Sequence, residues 1–278
     1  LAGDGNDTIY GGEGDDYIDP GAGDDTIYGG KGNDTILLSS GFDIEDGGEG
    51  IDTVIFGSDQ ASLPVTIDLS SGKYHFTDHI ATATRYLLSI ENIESTAASD
   101  ITIFDTTGVN SITTMSGNDI IYSKGGDDTI STGAGNDTVY LNKAKYTVDL
   151  GAGDDTIYLS TEMSVVEGGN GTDTAVIRSF DGFVDVHIDL KFSTYFVPSQ
   201  MAAQDGMDLN LNSFEVITIE GNVASTLKGT IGADTLTGND GSDTIEGREG
   251  ADTLTGGNRQ DTFVFNSGDT GVLESEAD

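Results

Sequence analysis

The feature that most constrains this chain is a nine-residue period of glycine and aspartate. Residues 11–19 read GGEGDDYID, residues 29–37 read GGKGNDTIL and residues 47–55 read GGEGIDTVI. The first block keeps one frame from residue 2 to 55, with turns beginning at 2, 11, 20, 29, 38 and 47. A second block runs from 105 to 176, with turns at 105, 114, 123, 132, 141, 150, 159 and 168, and closes on GGNGTDTAV. A third starts near 220, has clear turns at 229, 238, 247 and 256, and ends on GGNRQDTFV. One match could be chance, but in-frame series in three places define an architecture. Such a short fixed period is the signature of a solenoid, whose repeats bury their apolar faces only by stacking on neighbours.

Each nine residues carry their own logic. Glycines at positions one to six let the backbone turn sharply and take positive φ. Positions seven to nine, typically Thr-Ile-Tyr, favour a very short strand. Position eight alone is expected to face inward. The first block then gives a ladder of Ile9, Ile18, Ile27, Ile36 and Val54. The second gives Ile112, Ile121, Ile130, Val139, Val148, Ile157, Val166 and Ala175, and the third Leu227, Leu236, Ile245, Leu254 and Phe263. Two turns make one coil, so consecutive strands fall on opposite sheets and residues eighteen apart stack. The expected fold is all-β: a parallel β-roll, a form of β-helix or solenoid, with β-rich insert segments. The expected division is 1–55, 105–176 and 220–265 as repeat blocks, 56–104 and 177–219 as β-rich inserts, and 266–278 as a C-terminal flank.

Charge then identifies what the turns need. Asp and Glu number 49 against 11 Lys and Arg, for a net charge of -38. Scattered through an apolar-poor chain, such charge would signal disorder; here it is periodic. Stacking at eighteen residues brings like carboxylates together, which is unfavourable unless a cation lies between them. Aspartate and glycine also suit metal-free turns, but that reading leaves the repulsion unanswered. Calcium takes six to eight hard oxygens from carboxylates and backbone carbonyls. Each turn offers its sixth-position Asp and several carbonyls, which glycines allow to converge. One turn is half a site, completed by the turn eighteen residues on.

The first block pairs Asp7 with Asp25, Asp16 with Asp34, and Asp34 with Asp52. Asp25 with Asp43 is weaker, because that turn carries Ser39 and Phe42 and puts Glu45 inward. In the second block Asp119, Asp137, Asp155 and Asp173 form an unbroken row with three sites. The opposite edge, with Asn110, Asp128, Tyr146 and Ser164 at the sixth positions, is expected to be largely metal-free and held by packing. The third block pairs Asp234 with Asp252 and Asp243 with Asp261. The candidate glycine ligands in these turns are Gly12, Gly14, Gly21, Gly23, Gly30, Gly32, Gly48, Gly50, Gly117, Gly133, Gly135, Gly151, Gly153, Gly169, Gly171, Gly232, Gly241 and Gly250. Roughly eight or nine calcium ions are expected if every oxygen cage closes.

These repeats resemble those of the RTX (repeats-in-toxin) family of calcium-binding secreted proteins. The pattern G-G-x-G-x-D-x-U-x is an established calcium-binding nonapeptide, so the match is recognition of a known signature. The inserts are similar to segments between RTX blocks of large adhesins and surface-layer proteins: VTIDLSSG at 65–72, IENIE at 90–94, VHIDL at 186–190 and FEVITIEG at 214–221. They are read as strands and loops that extend or decorate the roll. DTFVFNSGD resembles the last turn before the family's C-terminal secretion segment. The resemblance implies export from a bacterium through a type I secretion apparatus. Such chains travel unfolded at low cytosolic calcium and fold outside, either secreted into the medium or at the cell surface.

Other chemistry is sparse. No cysteine is present to staple the fold, and bound metal is the other common staple. No apolar run approaches the ~20 residues of a membrane span, and no signal peptide is visible. The chain opens in mid-repeat, so its true N-terminus is expected elsewhere. Nothing basic is present to meet nucleic-acid phosphates. His75 and His79 have the i,i+4 spacing that binds zinc on a helix, but their segment reads as strand and loop. No H-E-x-x-H, G-x-S-x-G or Walker lysine motif occurs, and the carboxylate pairs are better used on metal than on glycoside cleavage. The expected role is a non-catalytic calcium-binding module of a larger secreted protein. The competing readings are a structural surface protein, such as an adhesin or surface-layer subunit, and an accessory domain of a secreted enzyme. Tyr10, Tyr28, Tyr122, Tyr140 and Tyr158, expected to face outward, raise a carbohydrate or cell-surface partner.

Overall fold

A computed structural model describes residues 1–39, 41–57, 64–76, 85–160, 164–178, 185–190, 209–266, 269 and 272–274. Two compact units are present, Leu1–Val139 and Tyr140–Asp278, and their boundary falls inside the second repeat block. The described residues are all-β, and each unit is a parallel β-solenoid.

In the first unit one sheet begins with Thr8–Glu13, Thr26–Lys31 and Ile44–Glu49, parallel and in an eighteen-residue register: Ile9 pairs with Ile27, and Ile27 with Glu45. The opposite sheet stacks Tyr17–Ile18, Thr35–Leu37, Thr53–Phe56, Asn92–Ser95, Ser111–Thr113 and Thr129–Ser131 in parallel. Strands this short gain little alone, so each depends on the hydrogen bonds of its two neighbours.

The insert does more than decorate this unit. Arg85–Leu88 continues the first sheet in parallel on Ile44–Glu49. Lys73–Phe76 lies antiparallel to Arg85–Leu88, and Val65–Asp68 antiparallel to Lys73–Phe76. Ile101–Phe104 then resumes parallel stacking on Val65–Asp68, followed by Ile120–Tyr122. A hairpin is thus spliced into the sheet, closed at Gly72 and held by Asp68, which accepts hydrogen bonds from the Ser70 and Ser71 amides.

In the second unit Thr156–Ser160, Thr174–Arg178, Val216–Glu220, Thr235–Thr237, Thr253–Thr255 and Val272–Glu274 form one parallel sheet. Thr147–Asp149, Ser164–Glu167 and Leu209–Asn212 form a second. Asp185–Asp189, Ala224–Lys228, Thr244–Glu246 and Thr262–Val264 form a third. The edge whose sixth positions are Tyr146 and Ser164 persists as expected, with Val148 and Val166 buried.

The inward ladder is as expected at Ile27, Ile36, Val54, Ile112, Ile121, Ile130, Val139, Ile157, Ala175, Leu236 and Ile245, all essentially buried. The expectation that position eight alone faces inward is corrected. Leu38, Leu141, Leu150 and Leu159, each at position one, are also buried. Side chains alternate with period two, and coil-to-coil hydrogen bonding carries on past position nine, the Leu38 amide donating to the Ile55 carbonyl and the Leu150 amide to the Glu167 carbonyl, so position one turns inward as well. Of the histidines, His75 is exposed on the Lys73–Phe76 strand and not on a helix; His79 lies outside the described residues.

Each buried aliphatic side chain contributes roughly 1.5–3 kcal/mol, against the large entropy cost of ordering glycine-rich turns. Ile36→Ala should therefore cost about 2–5 kcal/mol in calcium-saturated denaturant melts. Ile51→Ala, at a site 57% exposed, should stay within about 0.5 kcal/mol of wild type. Equal losses in the two variants would contradict the ladder.

Candidate metal sites

The sixth-position aspartates are joined coil to coil by one recurring hydrogen bond. The backbone N–H of each donates to Oδ1 of the Asp eighteen residues on: Asp7 to Asp25 at 2.8 Å, Asp16 to Asp34 at 2.9 Å and Asp34 to Asp52 at 2.7 Å. The same bond runs from Asp119 to Asp137 at 2.8 Å, Asp155 to Asp173 at 3.0 Å, Asp234 to Asp252 at 3.1 Å and Asp243 to Asp261 at 2.9 Å. The predicted pairs within each unit are therefore brought together.

One carboxylate oxygen is used in this way and the other is not. Oδ2 of Asp16, Asp25, Asp34, Asp52, Asp119, Asp173 and Asp243 is buried without a hydrogen-bond partner among the described residues. A buried charged acceptor left unpaired costs more than the ~1–3 kcal/mol of a neutral one. At Asp16, Asp34, Asp52 and Asp173 this oxygen lies beside a backbone carbonyl. A Cβ placed on Gly11 would lie 2.5 Å from the Gly29 carbonyl oxygen and 2.7 Å from Asp16 Oδ2. One placed on Gly29 would strike both the Gly47 carbonyl oxygen and Asp34 Oδ2. Carboxylate and carbonyl oxygens thus converge where only glycine leaves room. No group of three or more His, Asp or Glu side chains gathers among the described residues. Backbone carbonyls must then complete any cage, and that all-oxygen donor set suits calcium.

The predicted glycines mostly behave as the turn chemistry requires. Gly12, Gly14, Gly21, Gly23, Gly30, Gly32, Gly48, Gly50, Gly117, Gly133, Gly135, Gly151, Gly153, Gly169, Gly171 and Gly250 all have positive φ. At Gly30 (φ 119°) a side chain would also strike the Gly12 carbonyl of the coil below, so coil spacing itself demands glycine. Gly232 and Gly241 depart from the expectation, for positive φ in that block also passes to Asn239, Arg248 and Arg259. Gly241 is still needed for space, against the Val223 carbonyl.

Some predicted carboxylates are satisfied by protein. Asp43 accepts from the Asp25 amide and from Ser39 Oγ at 3.1 Å, as suits the weaker pair. Asp128 accepts from the Asn110 amide and from Ser123 Oγ at 2.9 Å. Asp234 is held by the Thr230 amide and hydroxyl. Beside Asp43, Glu45 is wholly buried and takes a 3.2 Å hydrogen bond from the Tyr74 hydroxyl. Burial, then the nearby Asp43 charge, push Glu45 up to about 8. The buried Arg85 side chain donates to the Gly41 carbonyl at 2.6 Å and lies over the Phe42 and Phe76 rings. The insert thereby brings a guanidinium to the turn of the weaker Asp25–Asp43 pair.

Two sets of residues escaped the sequence reading. The fifth-position Asp and Asn side chains form an outer ladder, Asp15 accepting from the Asn33 amide at 2.7 Å and Asn33 from the Ile51 amide at 2.9 Å. The repeated N-D and D-D dipeptides were the available signal. Glu91 and Glu215, outside the nonapeptide frame, take the place of a sixth-position Asp above Asp52 and Asp173. The matching Ser-apolar-Glu triplets at 89–91 and 213–215 were the clue.

Burial pushes the Asp119 and Asp234 carboxyls up to about 6 and raises those of Asp52, Asp173 and Asp243. A folded-state pKa above the unfolded value of about 3.9 means that the fold prefers the protonated groups. The metal-free roll should therefore be most stable below about pH 4, losing stability as the pH rises to about 6. Calcium must displace those protons, so its affinity should fall on acidification over the same range. Calcium titrations followed by far-UV circular dichroism from pH 4 to 7 check this, the midpoint moving to higher calcium as the pH falls; a pH-independent midpoint would contradict it. Gly29→Ala should weaken calcium binding in isothermal titration, because its methyl meets Asp34 Oδ2 and the Gly47 carbonyl, whereas Gly108→Ala meets only an ordinary contact with Thr106 and should bind as wild type.

The sequence model of the RTX calcium-binding nonapeptide repeat (4 copies) matches residues 1–27, 21–45, 104–141 and 228–263. No curated protein matches the chain. The matched stretches hold aspartate pairs of the three repeat blocks. These matched stretches are similar to RTX calcium-binding nonapeptide repeats.

Proposed function

We propose that this chain is a non-catalytic calcium-binding module of a larger secreted bacterial protein, folding on extracellular calcium and thereby supporting its parent's secretion, folding and stability. The observation that supports this reading is the row of buried, unpartnered Oδ2 atoms, those of Asp16, Asp34, Asp52 and Asp173 set beside backbone carbonyls. Such a row is costly without a cation and stabilising with one. A ligand that binds only the native state adds about 2.7 kcal/mol per site at a hundredfold excess over Kd. Several sites in series turn a modest affinity into a sharp folding transition. Where calcium is scarce, carboxylate repulsion keeps the chain extended, the form a type I secretion channel would pass. A cell-surface role draws on the outward face, where the Tyr10 and Tyr28 rings stack at 5.1 Å and Tyr10 is 73% exposed. Such a face suits a carbohydrate or a partner surface.

Far-UV circular dichroism during a calcium titration from a chelated start tests the main reading, with magnesium as control. A cooperative gain of β signal with calcium and none with magnesium is expected. A chain already folded in chelator would refute the folding switch.

A further inference from the structure

At two places the chain closes a coil without a nonapeptide turn. Leu88 pairs with Asp46 and Asn92 with Thr53, so Ser89, Ile90 and Glu91 span what Gly47–Asp52 spans in the coil below. In the second unit Asn212 pairs with Glu167 and Val216 with Thr174. Ser213, Phe214 and Glu215 there stand over Gly168–Asp173. A three-residue turn replaces a six-residue one in both cases.

The two turns share their details. Ser89 and Ser213 have left-handed backbones, φ 52° and 57°. Ile90 and Phe214 are buried and anchor the turn. Glu91 Oε2 accepts from the Asp52 amide at 2.8 Å, and Glu215 Oε2 from the Asp173 amide at 2.9 Å. In an ordinary coil that acceptor is Asp Oδ1, as in Asp34 to Asp52. The extra methylene of glutamate makes up the reach that the shorter turn loses. The Asp52 carbonyl accepts from both the Glu91 and Asn92 amides, and the Asp173 carbonyl from both the Glu215 and Val216 amides.

What these turns cover matters most. Asp52 and Asp173 are fully buried, and Oδ2 of each has no hydrogen-bond partner among the described residues. A Cβ on Gly47 would strike Asp52 Oδ2 and the Ser89 carbonyl; one on Gly168 would strike Asp173 Oδ2 and the Ser213 carbonyl. The nonapeptide coils show the same convergence at Gly11, with Asp16 Oδ2 and the Gly29 carbonyl. Ser89 and Ser213 thus supply the carbonyl of a first-position glycine, and Glu91 and Glu215 the carboxylate of a sixth-position aspartate.

We propose that Ser89–Glu91 and Ser213–Glu215 each close a further calcium site, over Asp52 and Asp173 respectively. Both sites lie outside the stretches that the RTX repeat model matches. The inference rests on the calcium-binding reading above. In each site Asp Oδ2, the serine carbonyl and the second glutamate oxygen would face the ion, in a hard-oxygen set suited to calcium.

Calcium bound per full chain, counted by native mass spectrometry and equilibrium dialysis, tests this with Glu91→Gln, Glu215→Gln and the double variant. Glutamine keeps an acceptor for the Asp52 or Asp173 amide, so the turn retains its hydrogen bond and loses only its charge. Each single variant should bind one ion fewer and the double two fewer, with the dichroism spectrum at saturating calcium unchanged. Gly47→Ala, which leaves Glu91 in place, should lose the same ion by filling its space. Glu94→Gln, an exposed neighbour, should keep the full count. An unchanged count in the double variant, or an equal loss in Glu94→Gln, overturns the proposal while leaving the calcium-binding reading standing. A wild-type chain that binds no calcium overturns both.

Discussion

Everything in this roll depends on the way a buried carboxylate is shared between coils. One oxygen of each sixth-position aspartate fixes the backbone of the coil before it, and that bond sets the eighteen-residue register. At Asp25, Asp34, Asp52, Asp119 and Asp173 the other oxygen is carried into the interior with no hydrogen-bond partner among the described residues. The register and the need for a cation therefore have a single cause. A sequence keeps the stacking bond without that cost only by adding a donor, as Ser39 does for Asp43 and Ser123 for Asp128. Burial raises the proton affinity of these groups for the same reason that it calls for metal: charge removed from water needs a counter-charge.

Position one is where coils diverge. With glycine there, as at Gly29 or Gly229, carboxylate and carbonyl oxygens meet across a space no side chain could share. Leu38, Leu141 and Leu150 instead turn inward and extend the aliphatic core. Each repeat thus divides its edge between metal cage and apolar core through one residue. Turn 38–46 takes a third course. It buries Glu45, satisfies Asp43 with Ser39, and receives Arg85 from a strand 39 to 47 residues further along the chain. A guanidinium over aromatic rings is a protein-borne cation placed beside the weaker aspartate pair of the first block.

The coil pitch, the paired aspartates and the position-eight ladder were legible in the sequence because each depends only on spacing. Ile27 and Asp34 announce themselves by frame. The inward turn of Leu38 was not legible, because it depends on its amide bonding to the Ile55 carbonyl of the next coil, beyond the end of its own strand. The spliced hairpin was not legible either. VTIDLSSG reads as a strand and a turn, but nothing local says that Lys73–Phe76 will run antiparallel between Val65–Asp68 and Arg85–Leu88. Glu91 was hidden because its role requires knowing that three residues there do the work of six. Once the pairing of Asn92 with Thr53 is known, the longer side chain becomes a geometric necessity.

The spliced hairpin also bears on how the first unit can form. A plain solenoid grows one coil at a time, each new strand adding to the one before it with a short, constant loop to close. At the hairpin that rule fails. Arg85–Leu88 docks on Ile44–Glu49 about forty residues back, while Ile101–Phe104 finds its template in Val65–Asp68, a strand made earlier than Arg85–Leu88. Growth from the N-terminus must wait there until three strands close together, one of them, Lys73–Phe76, in the reverse direction. The hairpin is thus a kinetic checkpoint that divides the unit into coils that can assemble early and coils that cannot begin until it has closed.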